Sequence, residues 1–97
     1  MGAYEIVLTQ AAEDDLASLS AHDAKIVLDA IELHLTHQPK HESRSRIKKL
    51  IQPAISQFRL RVGEFRVYYD VAEDDRRVVV LQVYEKGRQT TPRAGEE

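Results

Sequence analysis

Residues 58–71 read FRLRVGEFRVYYDV, and within them Arg59, Arg61 and Arg66 have the type and spacing to do chemistry. A guanidinium presents a planar fork of N–H donors that matches the oxygens of a phosphate. Successive side chains of a strand face opposite sides of a sheet, so Gln57, Arg59 and Arg61 share one side of a first strand. Arg66, Tyr68 and Asp70 share the same side of a second. The alternate set, Phe58, Leu60, Val62, Phe65, Val67, Tyr69 and Val71, is apolar and supplies a core. Asp70 is placed to pair with a neighbouring arginine. A cationic sheet face can simply be a solvated one, and the distribution of charge along the chain bears on that choice. The net charge is only −2, yet residues 1–39 hold one Lys/Arg against seven Asp/Glu, residues 40–66 eight against two, and residues 67–97 five against seven. The middle segment is therefore +6, which predicts a localised surface for a polyanion. The acidic remainder argues against strong nonspecific binding to long duplexes.

Other chemistries find less support. There are no cysteines, which excludes disulfides and thiolate metal sites and fits a reducing cytoplasm. His34, His37 and His41 are spaced by three and four, as ligands on one helical face would be, but Pro39 interrupts that helix. A solvated helix end is the expectation there, with no metal and no cofactor. The N-terminal MGAYEIVLTQ lacks a basic start or a long apolar segment, so no signal peptide is visible. No run reaches the ~18 apolar residues of a membrane span.

The elements that must position the arginines follow from pattern. Tyr4 to Leu8 is β-branched and aromatic, a first strand. Thr9 and Ser20 are placed to cap two helices, the first with Ala12, Leu16 and Leu19 as its buried stripe and acidic residues 13–15 near its start. The second runs from Ala21 to about His37, with apolar positions 24, 27, 28, 31 and 35 at helical spacing. After a basic loop, RIKKLI is expected to form a short helical turn burying Ile47, Leu50 and Ile51 and leaving Arg46, Lys48 and Lys49 outside. Gly63-Glu64 is a hairpin turn, and Val78 to Tyr84 a last strand whose apolar run places it inside the sheet. At 97 residues this is one domain, residues 1–89, with 90–97 as a tail expected to be mobile. The order is β-α-α-β-β-β, of the α+β class: a small antiparallel sheet with a helical hairpin packed on one face.

That order of elements, RIKKL ahead of the sheet, FRLRVGEFRVYYDV and the closing VVVLQV resemble the RelE/ParE toxin superfamily, the toxins of bacterial type II toxin–antitoxin pairs. The resemblance covers roughly residues 4–88. It implies a RelE-like fold whose uncovered sheet face binds mRNA in the ribosomal A site and cleaves it without metal. In that chemistry the 2′-hydroxyl beside the scissile bond attacks the phosphate. It needs a proton acceptor, a stabiliser of the charged phosphorane and a donor to the leaving oxygen.

Carried over residue by residue, Arg59 and Arg61 match the superfamily's alternating basic positions, and Arg66 its arginine after the hairpin turn, the expected phosphate stabiliser. Gln57 stands where active members often carry a lysine. Lys86 and Arg88 supply the basic cluster after the last strand. The Tyr or His that follows it in active nucleases is absent, so Tyr84 or Tyr68 is the candidate substitute. Arg46, Lys48, Lys49 and Gln57 are expected at the RNA. Tyr69, on the apolar side, belongs to the core. The implied partners are a cognate antitoxin, the ribosome and mRNA, with operator DNA bound only through the antitoxin. The superfamily leaves two other activities open: inhibition of DNA gyrase in the manner of ParE, and a degenerate toxin acting as antitoxin partner or co-repressor.

Overall fold

The computed structural model describes residues 2–87. Strand β1 (Glu5–Leu8) leads into helices α1 (Gln10–Ala17) and α2 (Ala21–Leu35), followed by strands β2 (Ile47–Lys49), β3 (Phe58–Val62), β4 (Phe65–Ala72) and β5 (Arg77–Glu85). The five strands form one sheet in the order β1-β5-β4-β3-β2. This is the α+β architecture expected, with two differences. The sheet is mixed, because β1 pairs with β5 in parallel. The segment expected to be a helical turn is instead strand β2, paired antiparallel to β3. Three apolar positions cut short by Gln52-Pro53 are too few to nucleate a helix, whereas the open edge of β3 offers backbone partners at once. Ile47 and Leu50 are buried, and Ile51 is 89% exposed. The tail at 90–97 lies outside the described residues.

Both caps form: Thr9 Oγ1 accepts from the Ala12 N–H at 3.1 Å, and Ser20 Oγ from that of Asp23 at 3.1 Å. Thr9 serves a second purpose. Strand β1 ends at Leu8 while β5 continues, which would leave β5 with an unpaired edge. The Thr9 N–H donates to Val80 O (3.1 Å), its hydroxyl to Leu81 O (3.2 Å), and Asp15 Oδ2 on α1 accepts from the Val83 N–H (2.9 Å). The first helix thus completes the hydrogen bonding that the first strand is too short to supply.

One face of the sheet carries the core. Val27, Ile31 and Leu35 of α2 and Ala12 and Leu16 of α1 pack with Phe58, Leu60, Phe65, Val67, Tyr69, Val78, Val80 and Val83. Phe58 stacks on Tyr69 with ring centroids 5.6 Å apart. The Tyr69 hydroxyl donates to Pro39 O at 2.6 Å, which ties the loop after α2 to the middle of the sheet. Burial pushes the Tyr69 phenol well above its usual value. A register shift between β4 and β5 pairs Tyr68 with Gln82 but Tyr69 with Val80, so Leu81 is an extra residue on β5. This bulge lets Val80 and Val83, three apart, both face the core, and it sends Gln82 to the opposite face beside Tyr68. Gly63 takes a φ of +57° at the first position of the two-residue β3–β4 turn, a conformation a side chain would strain.

Candidate nucleic-acid interface

The face away from the helices is built in rows, because residues directly opposed on neighbouring strands share one side of the sheet about 5 Å apart. One row runs Lys48, Arg59, Tyr68, Gln82 across β2 to β5. The next runs Arg61, Arg66, Tyr84, extended by Arg46, whose carbonyl accepts from the Arg61 N–H at 2.8 Å and whose Nη1 donates to Arg61 O at 3.4 Å. Six of the expected site residues are therefore brought together by pairing alone: Arg59, Arg61, Arg66, Tyr68, Tyr84 and Arg46, with Lys48 at the rim. Lys86 joins them, because its N–H donates to Glu64 O (2.7 Å) in the turn next to Arg66. Arg88 lies outside the described residues.

Two expected residues are placed differently. Lys49 is in register with Phe58, a core residue, so it stands on the helix side of the sheet. The three-residue strand alternates, where the expected helical turn would have put Lys48 and Lys49 together. Gln57 is occupied: its N–H donates to Asp70 Oδ1 at 2.7 Å, and its Oε1 accepts from the Val71 N–H at 2.9 Å. Asp70 thus pairs with the backbone of Gln57 instead of an arginine. The two residues close the end of the β3–β4 ladder, and that use takes Gln57 out of the cationic set.

The arginines differ in their freedom. Arg61 is exposed. Arg66 is half-buried and its Nη1 donates to Gly63 O and Phe65 O, both at 3.0 Å, so the turn itself orients the guanidinium. Arg61 and Arg66 are directly opposed, and like charges so placed repel. Tyr84 is half-buried beside Arg66, whereas Tyr68 is 2% exposed. The row of Arg61, Arg66 and Tyr84 therefore sets two guanidinium cations beside a phenol. Arginine keeps its charge and cannot serve as a base.

A separate charged cluster stands at the β4–β5 turn. Glu73 accepts from the Tyr4 hydroxyl (2.9 Å) and pairs with Lys40 (2.9 Å) and Arg76 (3.6 Å). Arg76, at a φ of +51°, lies 4.2 Å over the Tyr4 ring. Lys40 and the Tyr4 hydroxyl hold the Glu73 carboxyl below its ordinary range. Lys40 is thus committed to this cluster, so the basic loop divides between two ends of the molecule. No described helix is long and apolar enough to cross a membrane. Among the described residues no group of three ligating side chains is arranged to hold a metal, although His34, His37 and His41 line one cleft.

The helical hairpin on one face of a five-stranded sheet has counterparts among solved structures. In the solved toxin–antitoxin complex RelBE2 of Mycobacterium tuberculosis, the matching chain superposes with a TM-score of 0.73 at 25% identity, over 87% of this chain and 99% of that one. A chain of the archaeal RelE–RelB complex of Pyrococcus horikoshii OT3 matches in fold, with a TM-score of 0.70 at 23% identity over 88% and 97% of the two chains. No curated protein matches this sequence significantly. The family model described as ParE toxin of type II toxin-antitoxin system, parDE, matches residues 6–90. The chain belongs to this ParE toxin family, within the RelE/ParE superfamily.

Proposed function

We propose that this toxin is a ribosome-dependent mRNA endonuclease of the cytoplasm, needing no metal or cofactor and neutralised by a cognate antitoxin. The direct opposition of Arg61 and Arg66, with Arg46 beside them, carries this reading. A sheet that places like charges face to face gives up stability, and a bound phosphate reverses the sign of that interaction. In the reaction the 2′-hydroxyl attacks the adjacent phosphorus, its proton passes to water or a side chain, and the bond to the 5′-oxygen of the next nucleotide breaks. The products are a 2′,3′-cyclic phosphate and a 5′-hydroxyl. Arg61 and Arg66 neutralise the phosphorane, and Tyr84, next to Arg66, protonates the leaving oxygen. Arg59, Lys48, Lys86 and Arg46 hold the flanking backbone.

The RelE-type relatives were solved as toxin–antitoxin complexes, and the +6 segment suits an acidic antitoxin segment that would cover the same face. Operator DNA would then be bound through the antitoxin. A second reading, inhibition of DNA gyrase, draws on the ParE family match and on the occupation of Gln57, where a lysine would otherwise serve the chemistry. Primer extension on a reporter mRNA in a purified translation system decides between them. Codon-dependent cuts that require ribosomes and vanish in Arg66→Ala support the nuclease. Intact mRNA with arrested growth moves the assignment to gyrase, and intact mRNA with normal growth to a degenerate antitoxin partner.

A further inference from the structure

A cleft of about 270 Å³ opens between the C-terminal end of α2 and the loop leading into β2. His34 and His37 line it from the helix side, His41, Ser43 and Arg46 from the loop, and Ile47 from β2. The three histidines that sequence spacing placed on one helical face do converge, but across a helix end and a loop and without the arrangement a metal needs among the described residues. Among the described residues no carboxylate lines the cleft: Glu42 lies in the adjacent loop and Glu32 on another side of α2. Burial, and after it the fixed charge of Arg46, hold the His34 imidazole below its ordinary value. Ser43 Oγ accepts from the N–H groups of both Arg46 (3.1 Å) and Ile47 (3.2 Å), which leaves its own proton to donate. Every described polar side chain lining the cleft can therefore donate, and a histidine that takes up a proton adds positive charge. Such a lining selects an anion.

Arg46 also ends the row of Arg61, Arg66 and Tyr84 on the open sheet face. The cleft thus continues the proposed RNA path around the edge of the sheet at β2. We propose that it binds a backbone phosphate of the RNA strand leaving the cationic face, with an affinity that rises when its histidines are protonated. This rests on the RNA reading above. It adds a second phosphate site outside the reaction centre, and it makes RNA affinity depend on pH through histidine, a dependence that arginine cannot supply.

The first measurement is a titration of inorganic phosphate into the toxin at pH 6, followed by histidine side-chain NMR. His22 lies near the start of α2 and outside the cleft, and serves as an internal control. The expected result is saturable shifts at His34, His37 and His41 with His22 unmoved; equal shifts at all four, or none, overturn the cleft assignment. The second is the salt dependence of binding to a short oligoribonucleotide at pH 6 and pH 8. A gained phosphate contact steepens the log–log slope by about 0.7 for a single strand, so the pH 6 slope should be steeper by about that amount. His37→Gln with His41→Gln, both exposed positions, should bring the pH 6 slope to the pH 8 value. Slopes that agree at both pH values, or a difference that survives in the double variant, refute the site while the sheet-face reading stands. Absence of RNA binding at either pH refutes the sheet-face reading and the RNA occupant with it, and the phosphate titration still decides whether the cleft is an anion site.

Discussion

Removing one member of the Arg61–Arg66 pair should make the protein more stable and less active, the opposite of what a structural arginine would do. The two are directly opposed on β3 and β4, where favourable cross-strand pairs are worth roughly 0.2–1 kcal/mol and like charges are destabilising. A Coulomb estimate agrees: two unit charges about 5 Å apart in water repel by about 0.8 kcal/mol, and splaying of the side chains lowers this. Arg61→Thr keeps a residue that favours strands, and because Arg46 Nη1 bonds to the carbonyl of Arg61, that contact survives the substitution. For a domain of this size each kcal/mol moves Tm by about 4–8 °C, so a rise of about 1–6 °C is expected in 20 mM salt. At 1 M salt the Debye length falls to about 3 Å and the gain should shrink towards zero. Thermal and urea unfolding at both salt concentrations, with the m-value held constant, measures this. Ribosome-dependent cleavage by the same variant should fall at least tenfold. A variant that is less stable than the wild type, or a stability gain that ignores salt, would refute the idea that this pair is kept for a ligand.

Tyr69→Phe removes the donor to Pro39 O and should cost about 1–2 kcal/mol, since a buried carbonyl is left without its partner; urea unfolding reads it. Because burial raises the phenol's pKa in the folded state, the wild type holds this contribution below pH ~10 and loses stability as pH rises above it, by about 1.4 kcal/mol per unit. The Phe variant should lose that part of the alkaline slope and keep the part due to Tyr4, whose bond to Glu73 also raises its pKa. Asp15→Ala strands the Val83 N–H at the β5 edge and should cost about 1 kcal/mol, with faster amide exchange at Val83 as the local readout. Lys40 and the Tyr4 hydroxyl lower the pKa of Glu73, so its contribution is present above the ordinary carboxylate value and lost as pH falls through the lowered one. Glu73→Gln should flatten the fall of stability below the ordinary carboxylate value, and an unchanged acid limb would show that the cluster at the β4–β5 turn contributes nothing.

The two helices, their Thr9 and Ser20 caps and strands β3 to β5 were legible because each depends on local pattern: a cap residue, a helical stripe, strict alternation or a Gly turn. Alternation alone also placed Arg59, Arg61, Arg66 and Tyr68 on one face, since a period of two leaves no choice of side once the apolar set is buried. Where pairing partners decide, sequence reasoning failed. Residues 47–49 have no strong local preference, and they became a strand because β3 had an open edge; that choice separated Lys49 from Lys48 and put Arg46 beside Arg61. Gln57 looked like a free member of the charged face and Asp70 like a partner for an arginine, but the end of the β3–β4 ladder needed both side chains to complete its hydrogen bonds. The bulge at Leu81, which sends Gln82 outward beside Tyr68, answers to the packing of Val80 and Val83 together. The three histidines were visible as a spacing, but only the fold of the loop against α2 gave them a common cleft with Arg46. The sequence by itself determined which residues are cationic and which side of a strand they occupy. Tertiary structure decided which strands lie side by side, and so which charges meet, because strand partners are chosen by distant edges competing for the same backbone hydrogen bonds.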